Sequence, residues 1–385
     1  MRVLGFLTKG RRLPIALDIG SDTIKMIQFR QARGELVSVA AAAAWPFPAD
    51  SPQGPAQRRE QAVDAVRRMW REGGFKGRSV LLALPCGPES IKTVRLPPLP
   101  AGQWRQAIKK EAQERFSFDA AKDHFSCIDA GEVHWDNRTV REVILLAAHN
   151  KVIDDHVAML SAMKLSPVAM EASPLAAFHA FERLGRRQES GAGARVIVDI
   201  GAGGTRVVVG KGKQIILLKS LGVGGWAMTA AVARHFNLSR QEAAQFRLQN
   251  AQHESARLAA PSATAKAAVS WSAQDALGGV LESLAEEIAL CLRYCAVTFR
   301  GMRPSEIILC GGEAHNPLIS RFLGERLGLP VVVSRPLHGL DVSRMKHDAD
   351  SPNLFAEWAI CAGLAVRYLG ASQAATEERY LRLSA

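Results

Sequence analysis

A short pattern of apolar strand, Asp-x-Gly turn and second apolar strand occurs twice in this chain, once near its start and once halfway along. The first copy spans residues 17–23 and the second spans residues 198–205. Because an apolar run lies on both sides of each copy, each copy predicts a β-hairpin turn. Glycine lets such a turn approach a phosphate closely, and its N–H groups and hydroxyls donate to phosphate oxygens. The repeat therefore indicates one nucleotide held between two related halves.

Each copy carries an aspartate, Asp18 or Asp199, two residues before its first glycine. Such a carboxylate can hold Mg²⁺ through water, because this ion keeps much of its hydration shell. Two commoner phosphate motifs are excluded, since a P-loop needs Gly-Lys-Ser/Thr and a dinucleotide fingerprint needs a helix directly after its glycines. A single Asp-x-Gly turn is more often an ordinary capped hairpin. The repetition is what favours a nucleotide site.

A third glycine element follows in the second half of the chain. Residues 306–314 run from an apolar strand into Gly311 and Gly312, and a helix is expected after them. Asn316 with the proline that follows it is typical of a helix start, and Gly328 is typical of a helix end.

The order of hairpin, hairpin and strand-Gly-Gly-helix resembles the phosphate-1, phosphate-2 and adenosine motifs of the actin-like ATPase superfamily. Within it the chain most resembles the PilM family, the cytoplasmic actin-like proteins of type IV pilus assembly, which are related to FtsA. Residues 96–118 are similar to that family's insert, in which a Leu-Pro strand leads to a helix that closes on an aromatic residue, here Phe118. The resemblance spans roughly residues 13–368.

This resemblance implies an α/β, actin-like ATPase fold of two related halves, each with a mixed sheet flanked by helices. The expected first half comprises residues 1–85 and 166–190, with 355–370 returning to it. An inserted small α/β subdomain takes residues 86–165, the second half takes 191–354, and 371–385 form a tail.

The motifs also define an expected site for ATP and Mg²⁺. Asp18 and Asp199 are the expected metal ligands. The expected nucleotide-binding residues come from the two hairpins, a Gly-Gly turn and the adenosine motif: Gly20, Ser21, Asp22, Thr23, Lys25, Gly201, Gly203, Gly204, Thr205, Gly224, Gly225, Gly311, Gly312, Glu313 and Asn316. Glu313 departs from the family pattern, which has a small residue there. It places a negative charge near the nucleotide and puts the affinity for ATP in question.

Glu171 is the candidate catalytic residue. It ends an apolar strand and precedes a helix whose first turn holds Pro174. A carboxylate there can cap the helix amides, whereas the matching residue of actin-like ATPases orients the attacking water. Both roles stay open from the sequence.

The insert is expected to be a complete, separately foldable unit. Its predicted strands are 91–96, 125–130 and 142–148, and its predicted helices are 103–115 and 152–163. Along the first helix an apolar stripe repeats every four residues: Trp104, Ile108, Ala112 and Phe116. Such a stripe is typical of core packing, and the edge of a peptide groove is the alternative. The family implies as ligand a cytoplasmic N-terminal peptide of a PilN-like inner-membrane pilus-assembly protein, membrane association through that partner, and self-association.

Composition agrees with this interpretation. At 385 residues the chain exceeds the size of one core, and a formal charge of +12 suits an anionic membrane face better than nucleic acid, since no nucleic-acid motif is present. Plain solubility is the other explanation of the charge. The start lacks a signal-peptide pattern, and six cysteines in such a chain suggest a reducing compartment. Cys291 and Cys295, one helical turn apart, are expected in the core. We expect a cytoplasmic protein, peripheral at the inner membrane.

Three functions remain compatible with these features: an ATP-binding scaffold of a type IV pilus or related secretion complex, an FtsA-like cell-division protein, and a small-molecule kinase of the same superfamily. A kinase needs a carboxylate base near the γ-phosphate, and the insert's carboxylates are scattered. The scaffold is favoured, with at most slow ATPase activity. The Ala/Ser-rich residues 252–272 are expected to form a loop before a long helix at 275–300.

Overall fold

The computed structural model describes residues 10–31, 37–48, 54–100, 103–116, 123–185, 193–259, 267–345, 355–370 and 381–382. These residues form two five-stranded sheets and one four-stranded sheet. Helices cover the sheets and also lie between the two larger ones.

The first sheet has the strand order β3-β2-β1-β4-β8. Its strands are β1 (Arg11–Ile19), β2 (Thr23–Gln31), β3 (Val37–Pro46), β4 (Ser79–Leu84) and β8 (Ser166–Ala172). The first three are antiparallel neighbours, whereas β4 pairs parallel to β1 and β8 pairs parallel to β4. The β1–β2 turn is the first predicted hairpin.

The second sheet repeats this arrangement in the order β11-β10-β9-β12-β13. Its strands are β9 (Ala194–Ile200), β10 (Thr205–Lys211), β11 (Gln214–Leu221), β12 (Pro304–Cys310) and β13 (Val331–Val333). Again three antiparallel strands are followed by two parallel ones. The common order shows that the two halves are related, as the repeated hairpin predicts.

Nine helices are described: α1 (Pro55–Glu72), α2 (Trp104–Arg115), α3 (Asn150–Ala162), α4 (Ser173–Gly185), α5 (Gly225–Phe236), α6 (Arg240–Ala259), α7 (Ala267–Thr298), α8 (Pro317–Leu327) and α9 (Ala359–Gly370). α4 and α9 lie between the two larger sheets and share one core with the facing sides of both. They approach so closely that a Cβ at Gly363 would collide with the backbone of Ala176. α1 and α3 cover the outer face of the first sheet, and α5 to α8 pack on the second.

The third sheet belongs to the insert and has the order β14-β6-β7-β5. Its strands are β5 (Ile91–Leu96), β6 (His124–Trp135), β7 (Arg138–Ala148) and β14 (Leu381–Arg382). The expected tail therefore contributes an edge strand, which pairs with Ser126 and Cys127 of β6. One face of this sheet packs against α2, where Ile108, Ala112 and Phe116 are buried. The apolar stripe of α2 is thus core packing.

The other face of the insert sheet corrects the expectation of a separately foldable unit. Ile128 and Ile144 on that face share a core with Ile215 and Leu218 of β11 in the second half. The predicted helix at 152–163 is present as α3, but its Leu160 lies in the core of the first sheet. Local pattern predicted the order of these elements, although β6 and β7 are longer than expected. It could not show that the sheet and α3 pack against the two halves.

Residues 252–259 and 267–272 also differ from the expected loop, because α6 extends to Ala259 and α7 begins at Ala267, whereas residues 260–266 lie outside the described part of the chain. Alanine has the highest helix propensity, which outweighs the missing periodicity there.

The start and end of α8 are as predicted: Asn316 Oδ1 accepts from Leu318 N at 3.1 Å, and Gly328 adopts φ 63°. Phe118 lies outside the described residues. Cys291 and Cys295 are buried in the second core, as expected. None of the described helices is both long and apolar enough to cross a membrane.

Candidate functional site

The first hairpin turn is closed by a hydrogen bond from Gly20 N to Thr23 O, 3.1 Å. The carbonyl of Ser21 accepts from the guanidinium of Arg58 on α1, and the carbonyl of Asp22 accepts from Phe47 N at 2.8 Å. Three hydrogen bonds therefore hold this short loop.

The second turn is closed in the same way, from Gly201 N to Gly204 O at 3.0 Å. The N-terminus of α5 supports it, since Gly225 N donates to Gly201 O at 3.0 Å and Trp226 N to Ala202 O at 2.8 Å. The hydroxyl of Thr205 is fully buried and donates to Val223 O at 2.7 Å. The sequence predicts that this hydroxyl donates to a phosphate, but it already donates to the backbone of Val223.

The two turns touch each other. A Cβ built on Gly203 would lie 2.7 Å from Ser21 Oγ and 3.6 Å from the Trp226 ring. Any larger residue there would require the Ser21 side chain to shift. The structure therefore brings together the two loops that the sequence predicts to hold one phosphate chain.

The aspartates Asp18 and Asp199 are both buried, 8% and 3% exposed. Burial raises the pKa of Asp18, the negative charge of Asp199 raises it further, and Lys25 and Arg206 oppose this shift. Asp199 is therefore close enough to Asp18 for its charge to affect the pKa of Asp18. Together with phosphate oxygens and water, a carboxylate pair of this kind meets the preferences of Mg²⁺.

Arg206 faces Asp199 across β9 and β10, with Nη1 3.5 Å from Asp199 Oδ2. The sequence interpretation did not single out this residue. A signal was available, because Lys25 faces Asp18 across β1 and β2 at the same seven-residue spacing.

The adenosine motif meets the second turn through Gly311. This glycine has φ 90°, and a Cβ on it would lie 2.6 Å from Asp199 Oδ1. Gly312 has open space where its Cβ would be. Asn316 is occupied as the N-cap of α8. Glycine at 311 thus lets the loop after β12 reach the expected metal ligand.

Glu313 follows these glycines in a short 3₁₀ helix, Gly312–His315, and its negative charge has a partner. Its Oε2 lies 2.5 Å from Arg247 Nη2 on α6. Arg247 Nη1 also donates to Gly225 O at 2.9 Å and to Thr229 Oγ1 at 2.8 Å. Arg247 was not identified from the sequence, because it lies 66 residues from Glu313. The expected unfavourable charge is therefore balanced, and the pair joins α5, α6 and the adenosine loop.

Glu171 lies in β8 opposite Ala83 of β4. Its Oε1 accepts from Arg367 of α9 and lies 3.3 Å from His179 Nε2 of α4, while its Oε2 is buried without a hydrogen-bond partner. Neither oxygen accepts from the amides of α4, so Glu171 is not a helix cap. Burial alone would raise the pKa of Glu171, but His179 and Arg367 outweigh burial and lower it. Glu171 is thus a buried carboxylate that joins α4, β8 and α9.

These features fit a magnesium nucleotide. The two turns meet at Ser21 and Gly203, an aspartate is buried in the strand before each turn, and a cation faces each aspartate. No group of three or more His, Cys, Asp or Glu side chains that could hold a metal is present among the described residues. A metal here would therefore need ligands from the phosphates and water.

Comparison with known proteins identifies the family and the fold. A family model described as type IV pilus assembly protein PilM matches residues 16–369. The fold is similar to a solved PilM-PilN type IV pilus biogenesis complex, with a TM-score of 0.73 and 20% identity over 93% of this chain and 99% of that chain. It is also similar to ethanolamine utilization protein EutJ from Carboxydothermus hydrogenoformans, with a TM-score of 0.54 and 14% identity over 92% of this chain and 89% of that chain. No curated protein matches the sequence.

The expected actin-like ATPase fold, an α/β architecture with two related mixed sheets flanked by helices, is confirmed by the repeated strand order and by these similar structures. The family model covers most of the chain, and the resemblance seen in the sequence motifs is confirmed with it. The chain belongs to the type IV pilus assembly protein PilM family.

Proposed function

We propose that this protein is an ATP-binding scaffold of the inner-membrane assembly complex of a type IV pilus, and that it docks a short cytoplasmic peptide of a PilN-like membrane protein. The observation that supports ATP binding most is the contact of the two hairpin turns at Ser21 and Gly203 beside two buried aspartates. Family membership supports the pilus role. A solved structure of similar fold is a PilM-PilN complex, which supports the choice of partner.

In this proposal the backbone of the two turns binds the phosphate chain, and Asp18 and Asp199 hold Mg²⁺. The metal would supply positive charge next to the phosphates. Gly224 and Gly225 lie at the start of α5, Gly311 and Gly312 precede the adenosine loop, and the nucleoside would lie between them. Asn316 would support the site as the N-cap of α8, and Thr205 would support it through its hydrogen bond to Val223 O.

The bound nucleotide would act mainly as a clamp between the halves, since a ligand stabilises the conformation that it binds better. The first half of the protein would comprise residues 1–85, 166–190 and 355–370, and the second half would comprise residues 191–354. Residues 86–165 would carry the partner surface, and the contact of this insert with β11 would couple it to the second half. Hydrolysis would be slow, because Glu171, the candidate for orienting water, is held by Arg367 and His179.

The charge of +12 supports a location in the cytoplasm at the inner membrane, where anionic lipids attract basic proteins. The partner would provide the attachment. Self-association would add further copies to the same complex.

Isothermal titration calorimetry tests the nucleotide site. Wild type should bind ATP in Mg²⁺, and Asp18→Ala, Asp199→Ala and the double variant should bind more weakly. Loss of one carboxylate ligand should cost up to about tenfold in affinity. Equal affinity in all four proteins would exclude the proposed metal site, and absence of binding by the wild type would exclude the nucleotide function.

A further inference from the structure

The two hairpins share a feature beyond the glycines and aspartates. In the first, Asp18 of β1 pairs with Lys25 of β2, and in the second, Asp199 of β9 pairs with Arg206 of β10. Directly opposite residues of antiparallel strands project from the same face of the sheet. Each buried aspartate therefore has a cation of this chain facing it.

Arg206 is the less expected of the two cations. Its side chain is 20% exposed, and Nη1 lies 3.5 Å from Asp199 Oδ2, which is a loose ion pair. The same Nη1 would lie 3.2 Å from a Cβ at Gly201, so the guanidinium runs along the second turn. Its Nε is buried without a hydrogen-bond partner. A buried unpaired donor is costly, and an incoming oxygen at this turn would satisfy it.

We propose that Arg206, together with Lys25, is a resident countercharge for the phosphate chain, so that nucleotide binding by this protein depends less on Mg²⁺ than its two aspartates alone would require. This inference rests on the proposed function, since it concerns the same site. It assigns to Arg206 a positioning and charge-balancing role at the phosphates.

The physical reason is the balance of charge in a buried site. Two carboxylates repel a polyphosphate, and a divalent cation normally removes that repulsion. A guanidinium beside Asp199 already offsets one carboxylate and can donate two parallel hydrogen bonds to phosphate oxygens. Lys25 offsets the other carboxylate as a point charge. With both cations present, the phosphates meet a site that is already largely neutralised.

The test measures ATP affinity by calorimetry with excess Mg²⁺ and with EDTA, for wild type, Arg206→Gln, Arg206→Lys and Arg195→Gln. Arg195 is the matched control, because it lies on β9 at the other end of the hairpin and its Nε is 3.8 Å from Glu306. Wild type should lose at most about tenfold when Mg²⁺ is removed. Arg206→Gln should lose a further 10- to 100-fold, roughly the value of one or two charge-assisted hydrogen bonds. Arg206→Lys should fall between them, and Arg195→Gln should match wild type.

An unchanged ratio of the two affinities in Arg206→Gln would overturn the inference while leaving ATP binding in place. Such an unchanged ratio would mean that Arg206 only supports the fold or binds independently of the metal. If wild type binds no ATP under either condition, the proposed function fails instead, and the inference fails with it. Thermal melting of each variant identifies one that does not fold. If Arg206→Gln does not fold, Arg206→Lys decides the question, because it keeps the charge but not the planar fork. The deciding quantity is then the ratio of its ATP affinities with and without Mg²⁺.

Discussion

Glu313 and Arg247 join the loop after β12 to helix α6, with Glu313 Oε2 2.5 Å from Arg247 Nη2. Both side chains are mostly buried, 19% and 11% exposed. The arginine also holds the first turn of α5 through Gly225 O. A residue that looks unfavourable for a nucleotide in the sequence is therefore part of the link between the loop after β12, α5 and α6.

Removal of Arg247 should destabilise the second half. Arg247→Ala leaves the carboxylate of Glu313 without its cation, and we expect a loss of about 1–3 kcal/mol in the free energy of unfolding. Arg326→Ala is the control, because the exposed pair of Arg326 with Glu282 is worth less than about 1 kcal/mol. Urea denaturation measures both. A double variant with Glu313→Ala should recover part of the loss, and strict additivity would contradict the pairing.

Gly203→Ala should weaken nucleotide binding by forcing the two hairpin turns apart. The new Cβ would lie 2.7 Å from Ser21 Oγ, and a displacement of phosphate donors by a few tenths of an ångström weakens several hydrogen bonds together. We expect a loss of about tenfold or more in ATP affinity by calorimetry. Gly222→Ala is the control, because a Cβ there has nothing within 4 Å.

Ser21→Gly in the same chain should restore much of the affinity lost in Gly203→Ala, because it removes the side chain that collides. Failure of this second substitution to help would mean that Gly203 is needed for another reason.

His179 should make stability depend on pH. Burial would lower the pKa of this histidine, but Glu171 and Glu182 outweigh burial and raise it to about 9, against Arg367, which lowers it. The folded state thus binds the proton more tightly than the unfolded state. The stabilisation is complete below about pH 6.5 and is lost as the pH rises through about 9.

We expect wild type to lose on the order of 2 kcal/mol between these limits relative to His179→Gln. Urea denaturation at pH 6, 7.5 and 9 measures the difference. His134→Gln, on an exposed position of β6, is the control. Parallel pH profiles of wild type and His179→Gln would show that the proton on His179 contributes nothing.

Much of the backbone geometry of the candidate site could be predicted because its signals are local. The two turns close between Gly20 and Thr23 and between Gly201 and Gly204, and the cap at Asn316 accepts from Leu318. Arg247 and Arg367 could not be predicted, since their partners lie 66 and 196 residues away. Ile128 and Ile215 share a core because the insert packs against β11 of the second half. The sequence periodicity within residues 86–165 carries no information about β11.

The partner surface can be tested without deleting the insert, which would expose the core that it shares with β11. Lys109 and Lys110 lie on the exposed side of α2. Substitution of both by Glu should reduce capture of the cytoplasmic segment of a PilN-like protein by about fivefold or more, if that helix face contributes to the contact. The same change at Lys211 and Lys213, which are exposed near the β10–β11 turn, is the control. Equal capture by both variants would place the recognition surface elsewhere.

Glu171→Gln decides whether this residue acts in hydrolysis or in the fold. Its Oε1 is engaged by Arg367 and His179, and its Oε2 is buried, so we expect a structural effect. Breaking such a buried pair should cost about 3 kcal/mol in the free energy of unfolding. Steady-state phosphate release should be far below the roughly 1–100 per second of typical phosphoryl-transfer enzymes, both in wild type and in the variant. Turnover within that range, abolished by Glu171→Gln at a temperature where the variant stays folded, would assign Glu171 to the chemistry and would identify a motor or kinase rather than a clamp.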